Sequence, residues 1–450
     1  MITTPIFTRI LSTTEYGEFN VYSSWLGIIS VLVTLNLFAG VYTKGLVKNE
    51  EDKLRFSSSM LGLCTTCILL GVCIYLTFRE TLNELFELST IQMILMFVSI
   101  WSSSAFYFWS ASQRVDFKYK ALVFIICINS LIKPICSILF VMNAEDKVTA
   151  RIFSIVLVDL ISFGGLYFIQ MFRGKAFYVQ EYWKHAVRFN VPLIPHYLSM
   201  TVLANSDRIM IKNMVGADSA GIYSLAYSIS QIMAIFNSAL FSTVEPWLYK
   251  KLKNNQTEDI GKLSYITLTL IAIVNLILIA LAPEVVAIFS PPEYKEAIWI
   301  IPPVAMSVYF TFAYTFFAVI EFHFEKNHYI SYATMSGAII NIILNYVCIN
   351  IFGYMAASYT TLLCYMIYAI AHYLFSQKLC DEKLKGIRIY NLKKLIIITV
   401  LFMVSGFFLM MTYYIFIIRY SIIAISIIVL YVNRRYVFDT LKNILALKRS

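Results

Sequence analysis

The chain has 450 residues, of which 59% are hydrophobic and 14% charged, against the roughly 25% charged residues of a soluble domain. With 16% aromatic residues and few Gly (16) or Pro (10), it is neither a soluble multidomain protein nor a disordered or fibrous chain. Its net charge of +10 would suggest nucleic acid in a soluble protein; here the placement of the charges decides their meaning.

Backbone cannot cross lipid without internal hydrogen-bond partners, so the long apolar runs must be helices of about 20 residues each. Residues 1–8 read as the tail end of a first span, which is otherwise missing. Full spans are expected at 19–43, 56–78, 91–112, 121–142, 152–171, 189–211, 221–248, 263–289, 297–320, 329–352 and 354–377. The stretch 395–433, interrupted by Arg419, fits a hairpin of two further spans. The tail 434–450 places Val437, Leu441, Ile444 and Leu445 near one helical face, as an interfacial helix or a frayed basic end.

The segments between spans alternate in charge. One alternating set carries 27 of the 36 Lys and Arg, and the other holds Arg9, Arg79, Lys147, Arg151, Lys295 and Arg419. That is the signature of a positive-inside orientation, and it accounts for the basic balance without nucleic acid. It places the loops 44–55, 113–120, 172–188, 249–262, 321–328 and 378–394 and the C-terminus in the cytoplasm, the location expected of a multi-pass protein of the bacterial inner membrane. Cys64 and Cys67 are spaced like a metal pair but lie in an apolar segment with no His or acid beside them, so they read as packing residues. No metal motif, nucleophile–base pair or Gly-rich phosphate loop is legible, so no catalytic residue, metal or cofactor is expected.

A weak repeat is present. Arg9 is followed after seven residues by Gly17-Glu18-Phe19 and Tyr22; Lys212 is followed after eight by Gly221-Ile222-Tyr223 and Tyr227. Each motif opens a long span that ends in a basic loop, a duplication common among transporters.

Two segments carry a family resemblance. One is Pro5-Ile-Phe-Thr-Arg-Ile-Leu-Ser-Thr-Thr-Glu-Tyr-Gly17; the other is Pro192-Leu-Ile-Pro-His-Tyr-Leu-Ser199 with Asn205-Ser-Asp-Arg-Ile-Met210. In both, the chain resembles the oligosaccharide flippases, the polysaccharide-biosynthesis transporters of the multidrug/oligosaccharidyl-lipid/polysaccharide exporter superfamily. The resemblance implies two six-helix lobes around a central cavity, with the first helix largely missing and a two-helix hairpin added. The lobes would be 1–171 and 189–377, joined by a cytoplasmic linker at 172–188 and followed by the hairpin 395–433 and the basic tail. Alternating access would carry a lipid-diphosphate-linked oligosaccharide across the bilayer. Its partners would be that substrate, the bilayer and other polysaccharide-assembly proteins.

Ionisable groups at membrane depth cost about 2.5–3.5 kcal/mol each on insertion scales and need a reason. Lys133 lies twelve residues into its span, beside Pro134, and Asp159 lies at a similar depth in the next. They read either as an ion pair between neighbouring helices or as a cavity lysine for the diphosphate, released by Asp159 when the anion arrives. Arg208 and Lys212 share one helix face at i,i+4 and could hold an anion between them, with Asp207 beside them; outward snorkelling with Asp207 as counter-ion is the other reading. His196 reads as a titrating group, a sugar donor or an interhelical hydrogen bonder. Glu245, Glu321 and His372 fall near span ends and read as interface anchors. The aromatic stripes Phe106–Trp109 and Tyr309–Phe317 are expected mostly to face lipid or its interfaces.

Two other functions compete. A multidrug exporter would favour an acidic cavity for cations, whereas the groups here are at least as basic as acidic. A membrane glycan polymerase or ligase would carry a large outer loop, and none here exceeds about a dozen residues by the orientation rule.

Overall fold

The computed structural model describes residues 3–254, 256–324 and 327–432; the tail 434–450, with its expected interfacial helix, lies outside them. Among the described residues there is no strand. In chain order the helices are α1 (Thr4–Ile10), α2 (Thr13–Thr34), α3 (Val41–Lys48), α4 (Lys53–Thr77), α5 (Arg79–Phe86), α6 (Thr90–Val115), α7 (Tyr119–Met142), α8 (Lys147–Gly174), α9 (Gln180–Asn190) and α10 (Ile194–Met214). There follow α11 (Ala217–Lys253), α12 (Glu258–Ala280), α13 (Ala282–Phe289), α14 (Ala297–His323), α15 (Asn327–Phe352), α16 (Ala356–Lys383), α17 (Leu392–Met411) and α18 (Phe416–Val432). Nine helices among the described residues are long and apolar enough to cross a membrane, so the chain is a multi-pass membrane protein. Helices α2, α10 and α16 fall outside that set because of the polar groups they carry. Contacts divide the chain into two compact units, Arg9–Gly221 and Met1–Thr8 with Ile222 onward; the division falls beyond the segment 172–188 expected to link two lobes.

In the unit Arg9–Gly221, the expected span 19–43 is two helices. Helix α2 starts early because Ser12 and Glu15 form a capping box, Glu15 N–H donating to Ser12 Oγ at 3.1 Å and Ser12 N–H to Glu15 Oε2 at 2.7 Å. It stops at Thr34 because Leu35, Asn36 and Gly40 take left-handed backbone (φ 50°, 48° and 71°). The carbonyls freed by the break are satisfied from a distance: the buried Asn190 at the end of α9 donates to Leu35 O at 2.9 Å and Asn36 O at 3.0 Å. Helix α8 is central and packs against α2, α4, α6 and α7. The core around it contains Tyr42, Met60, Cys64, Met96 and Phe108. The segment 172–188 contains most of α9, whose Trp183 Nε1 donates to Ser59 O on α4 at 2.9 Å. Helix α10 lies along α2.

The glycines aligned by the sequence repeat meet in this unit. A Cβ on Gly17 would stand 1.9 Å from Ala217 O, and a Cβ on Gly221 would stand 2.1 Å from Thr13 O. Each glycine thus opposes the carbonyl four residues before the other, and the two backbones approach as only glycine allows.

In the other unit, α14 is the central helix, packed by α12, α13, α15, α16 and α17. This corrects the expectation that the stripe Tyr309–Phe317 faces lipid: Tyr309, Phe310, Phe312, Phe316 and Phe317 are all buried. A helix surrounded on every side is apolar on every side, and composition alone does not distinguish it from one facing acyl chains. Asn237 of α11 donates to Val308 O at 2.9 Å, a hydrogen bond between helices. The expected span 263–289 breaks between α12 and α13, where Pro283 takes an early position of the new helix. Thr8 ties α1 to the end of α13 by donating to Phe289 O at 2.6 Å.

The expected terminal hairpin is present as α17 and α18. Its Arg419, buried at one end, pairs with Glu284 of α13, and Tyr420 donates to the same carboxylate oxygen at 2.6 Å. Tyr413 donates to Ile279 O at 2.6 Å. Replacing Arg419 by Met is expected to destabilise the protein by about 1–3 kcal/mol, because it strips the carboxylate of its charged partner. Thermal unfolding in a fixed detergent and protease cleavage at the turn before α18 would register it.

Candidate functional site

Helix α7 touches the rest of its unit mainly through α8, along a stripe of Leu122, Asn129, Ser137 and Val141. Lys133 lies on the same stripe, four residues from Asn129 and four from Ser137. Its Nζ stands 2.5 Å from Asp159 Oδ1 on α8, and 5.4 Å from the centre of the Phe163 ring. The carboxylate side chain is 4% exposed and the lysine side chain 30%. Ser137 and Ser154 hydrogen-bond across the same seam at 2.8 Å. Of the two readings of Lys133 and Asp159, the ion pair is therefore present.

Helix α10 carries the other four expected site residues. It begins after Pro192, with Pro195 in its first turn, where a missing N–H costs nothing. Tyr197, Thr201 and Asn205, four residues apart, run along the side facing α2: Gly27 of α2 lies against Thr201 and Asn205, and Gly40 against the Tyr197 hydroxyl. Arg208 donates from Nη1 to Asn205 Oδ1 at 3.2 Å. Asp207 is buried and His196 half-buried. Lys212 Nζ pairs at 2.8 Å with Glu87 Oε2, at the end of α5. Two of the three basic residues expected to receive the diphosphate, Lys133 and Lys212, are thus paired with different carboxylates, on α8 and at the end of α5.

Three features escaped the sequence. On α8, the Arg151 guanidinium lies 3.6 Å from the centre of the Phe19 ring of α2, with Tyr16 at 5.7 Å. A hollow of about 390 Å³ is lined by Phe38, Thr43, Tyr107, Ser110 and Arg114. Phe38 and Tyr107 stack on its wall with ring centres 4.7 Å apart. Arg114 counts in the sequence as one more loop charge, but among the described residues it has no acidic partner. Nearby, the Lys53 ammonium, 3.1 Å from Asp116, holds that carboxyl below its usual range, with help from Lys118. Aromatic faces, hydroxyls and a guanidinium around one space suit a sugar phosphate.

The third feature is a correction. Glu321 and His372, expected to anchor at the interface, are fully buried and hydrogen-bonded to each other, Nδ1 to Oε1, at 2.8 Å. Both fall near span ends in the sequence, but the neighbouring helices cover those ends. Among the described residues, no group of three or more His, Cys, Asp or Glu is placed to hold a metal ion.

The fold is that of known membrane transporters. It is similar to an inward-facing multidrug resistance MATE family transporter of the MOP superfamily (TM-score 0.69, 11% identity, covering 86% of this chain and 95% of that one). It is also similar to the lipid II flippase MurJ in an inward closed conformation (TM-score 0.60, 14% identity, covering 91% and 97%). Residues 1–252 match the model of the polysaccharide biosynthesis protein family, and the chain belongs to that family. An Lsg locus protein of Haemophilus influenzae is 21% identical over 355 residues, 75% of this chain and 83% of the relative. A membrane protein of that organism is 23% identical over 201 residues, 44% and 49% of the two chains.

Proposed function

We propose that this protein is a flippase. It moves a polyprenyl-diphosphate-linked oligosaccharide, the repeat unit of an O-antigen, capsule or exopolysaccharide, from the cytoplasmic to the outer face of a bacterial inner membrane. Its C-terminus is cytoplasmic, it works by alternating access of two lobes, and it performs no covalent chemistry. The observation that carries the reading is the charged pair Lys133 and Asp159 on α7 and α8, two helices long and apolar enough to cross a membrane, in a polysaccharide-biosynthesis family member. Charge at that depth is retained at a cost and marks a substrate path.

The physical problem is the diphosphate. Its charges make unassisted passage through hydrocarbon far too slow. Cationic side chains replace part of the hydration it loses, while the glycan meets hydroxyls and amides and the lipid tail stays in the bilayer. Lys133 suits this role because its side chain is partly open while Asp159 is not, so an arriving anion can compete for the ammonium. Arg208, on α10, offers a guanidinium that matches phosphate oxygens in a fork. The hollow at Arg114, Tyr107 and Phe38 would receive sugar and phosphate near the loop 113–120. The multidrug reading draws on the likeness to MATE transporters, but the acids Asp159 and Glu321 are already paired with Lys133 and His372 and offer a drug cation little.

The test is export of lipid-linked glycan by cells carrying Lys133→Ala or Arg208→Ala. A charge-assisted contact to phosphate contributes about 1.5–3 kcal/mol, so each change should slow export about ten- to a hundredfold. Unchanged export in both variants would sink the reading.

A further inference from the structure

Glu321 and His372 support an inference that deepens this reading and rests on it. The carboxylate comes from α14 and the imidazole from α16; neither side chain has any exposed surface. Beyond their mutual hydrogen bond, Glu321 Oε2 and His372 Nε2 are buried with no hydrogen-bond partner among the described residues. The imidazole sits in an aromatic cage: the Tyr314 ring stacks on it at 5.3 Å, Tyr368 meets it edge-on at 4.4 Å, and Phe375 lies at 6.5 Å. Tyr314 and Tyr368 are the titratable groups that face the pair.

Such a site has no structural need of ionisable groups. A buried ion pair replaced by apolar residues of similar volume is often neutral or stabilising, so packing alone does not explain the carboxylate and imidazole. Together they share one titrating proton. With that proton the pair is net neutral, either as carboxylate and imidazolium or as carboxylic acid and imidazole. Without it, a carboxylate beside a neutral ring leaves one net negative charge in a dry cage; with a second proton the net charge is positive. Desolvation disfavours both states, and a proton can enter or leave only when one of the open atoms is wetted.

We propose that the Glu321–His372 pair is a proton-binding site whose loading and unloading is coupled to movement of the lipid-linked oligosaccharide. One proton passes from water on one side of the membrane to the pair and later from the pair to water on the other. An O–H or N–H bond forms in the first step and breaks in the second, with no other change in bonding.

The test uses the full chain in lipid vesicles, with a fluorescent polyprenyl-diphosphate oligosaccharide as the probe and an imposed pH difference. With one proton per cycle, a difference of about one pH unit should shift the steady-state leaflet ratio of the probe about tenfold, since a pH unit corresponds to a factor of ten. Glu321→Gln keeps a hydrogen bond to the imidazole but removes the carboxylate with which it shares the proton. It should still move the probe, to a ratio that ignores the pH difference; His372→Gln should behave alike. A wild-type ratio that ignores the pH difference overturns the proposal and leaves the flippase reading standing. A Glu321→Gln protein that responds like the wild type also overturns it. Absence of probe movement in the wild type overturns the flippase reading instead. Infrared difference spectra of the vesicles without probe then decide the proton site. A pH-dependent carboxyl or imidazole signal in the wild type that is lost or altered in Glu321→Gln is expected, and the absence of both in the wild type overturns the proposal.

Discussion

Replacing Lys133 by Met is expected to lower the unfolding free energy of the purified protein by about 3–5 kcal/mol, the cost of leaving a buried charge without its partner. The charge left behind is Asp159, whose side chain is 4% exposed. The reciprocal change, Asp159→Leu, should cost markedly less. Lys133 is 30% exposed, and its long stem lets the ammonium reach a wetter position. The double variant Lys133→Met/Asp159→Leu should recover most of the loss, because two apolar side chains of similar volume fill the seam between α7 and α8 without desolvating charge. The same cycle separates stability from transport. If Lys133 serves the substrate, the double variant is folded and export-deficient; if the pair merely fastens the helices, it is folded and exports normally. Thermal unfolding in one detergent and export of lipid-linked glycan, measured on all four proteins, give both answers.

The second large effect is steric. Gly17→Val and Gly221→Val should each destabilise the protein by about 3 kcal/mol or more, the upper range for overpacking. A Cβ at either position would lie within about 2 Å of a backbone carbonyl oxygen, at 1.9 Å for Gly17 and 2.1 Å for Gly221. Backbone cannot move aside as the end of a flexible side chain can, so the two helices must separate. The control is Gly165→Ala on α8, where an added Cβ meets nothing within 4 Å. That change should raise stability by about 0.4–1 kcal/mol through the unfolded chain. Equal unfolding temperatures for the wild type and both valine variants would show that the close approach does not hold.

The sequence made the helices legible because membrane crossing leaves few alternatives. Apolar length and the alternation of Lys and Arg located most spans, and the interruption at Arg419 with basic segments on either side implied the terminal hairpin. The break in 19–43 was hidden because the cause lies elsewhere: left-handed backbone at Leu35 and Asn36 is supported by Asn190, more than 150 residues away. The Lys133–Asp159 pair was legible as one of two readings, since equal depth in adjacent spans is a sequence property. The Glu321–His372 pair was not. Depth along a helix can be counted, but whether a span end is covered by neighbours depends on packing, and α14 proved to be the most enclosed helix of its unit. The same ignorance of packing sent the Tyr309–Phe317 aromatics to the lipid face. Arg114 illustrates the converse: positive-inside counting explains a loop arginine completely and therefore gives no reason to look for the hollow beside it.

The central claim is movement of a lipid-linked glycan between leaflets, and one measurement addresses it without relying on any variant. Vesicles containing the purified full-length protein are loaded with polyprenyl-diphosphate oligosaccharide in one leaflet, and its arrival in the other is followed by access of a sugar-binding lectin. The expected result is transfer many times faster than in protein-free vesicles of the same lipid. Transfer at the protein-free rate would contradict the account.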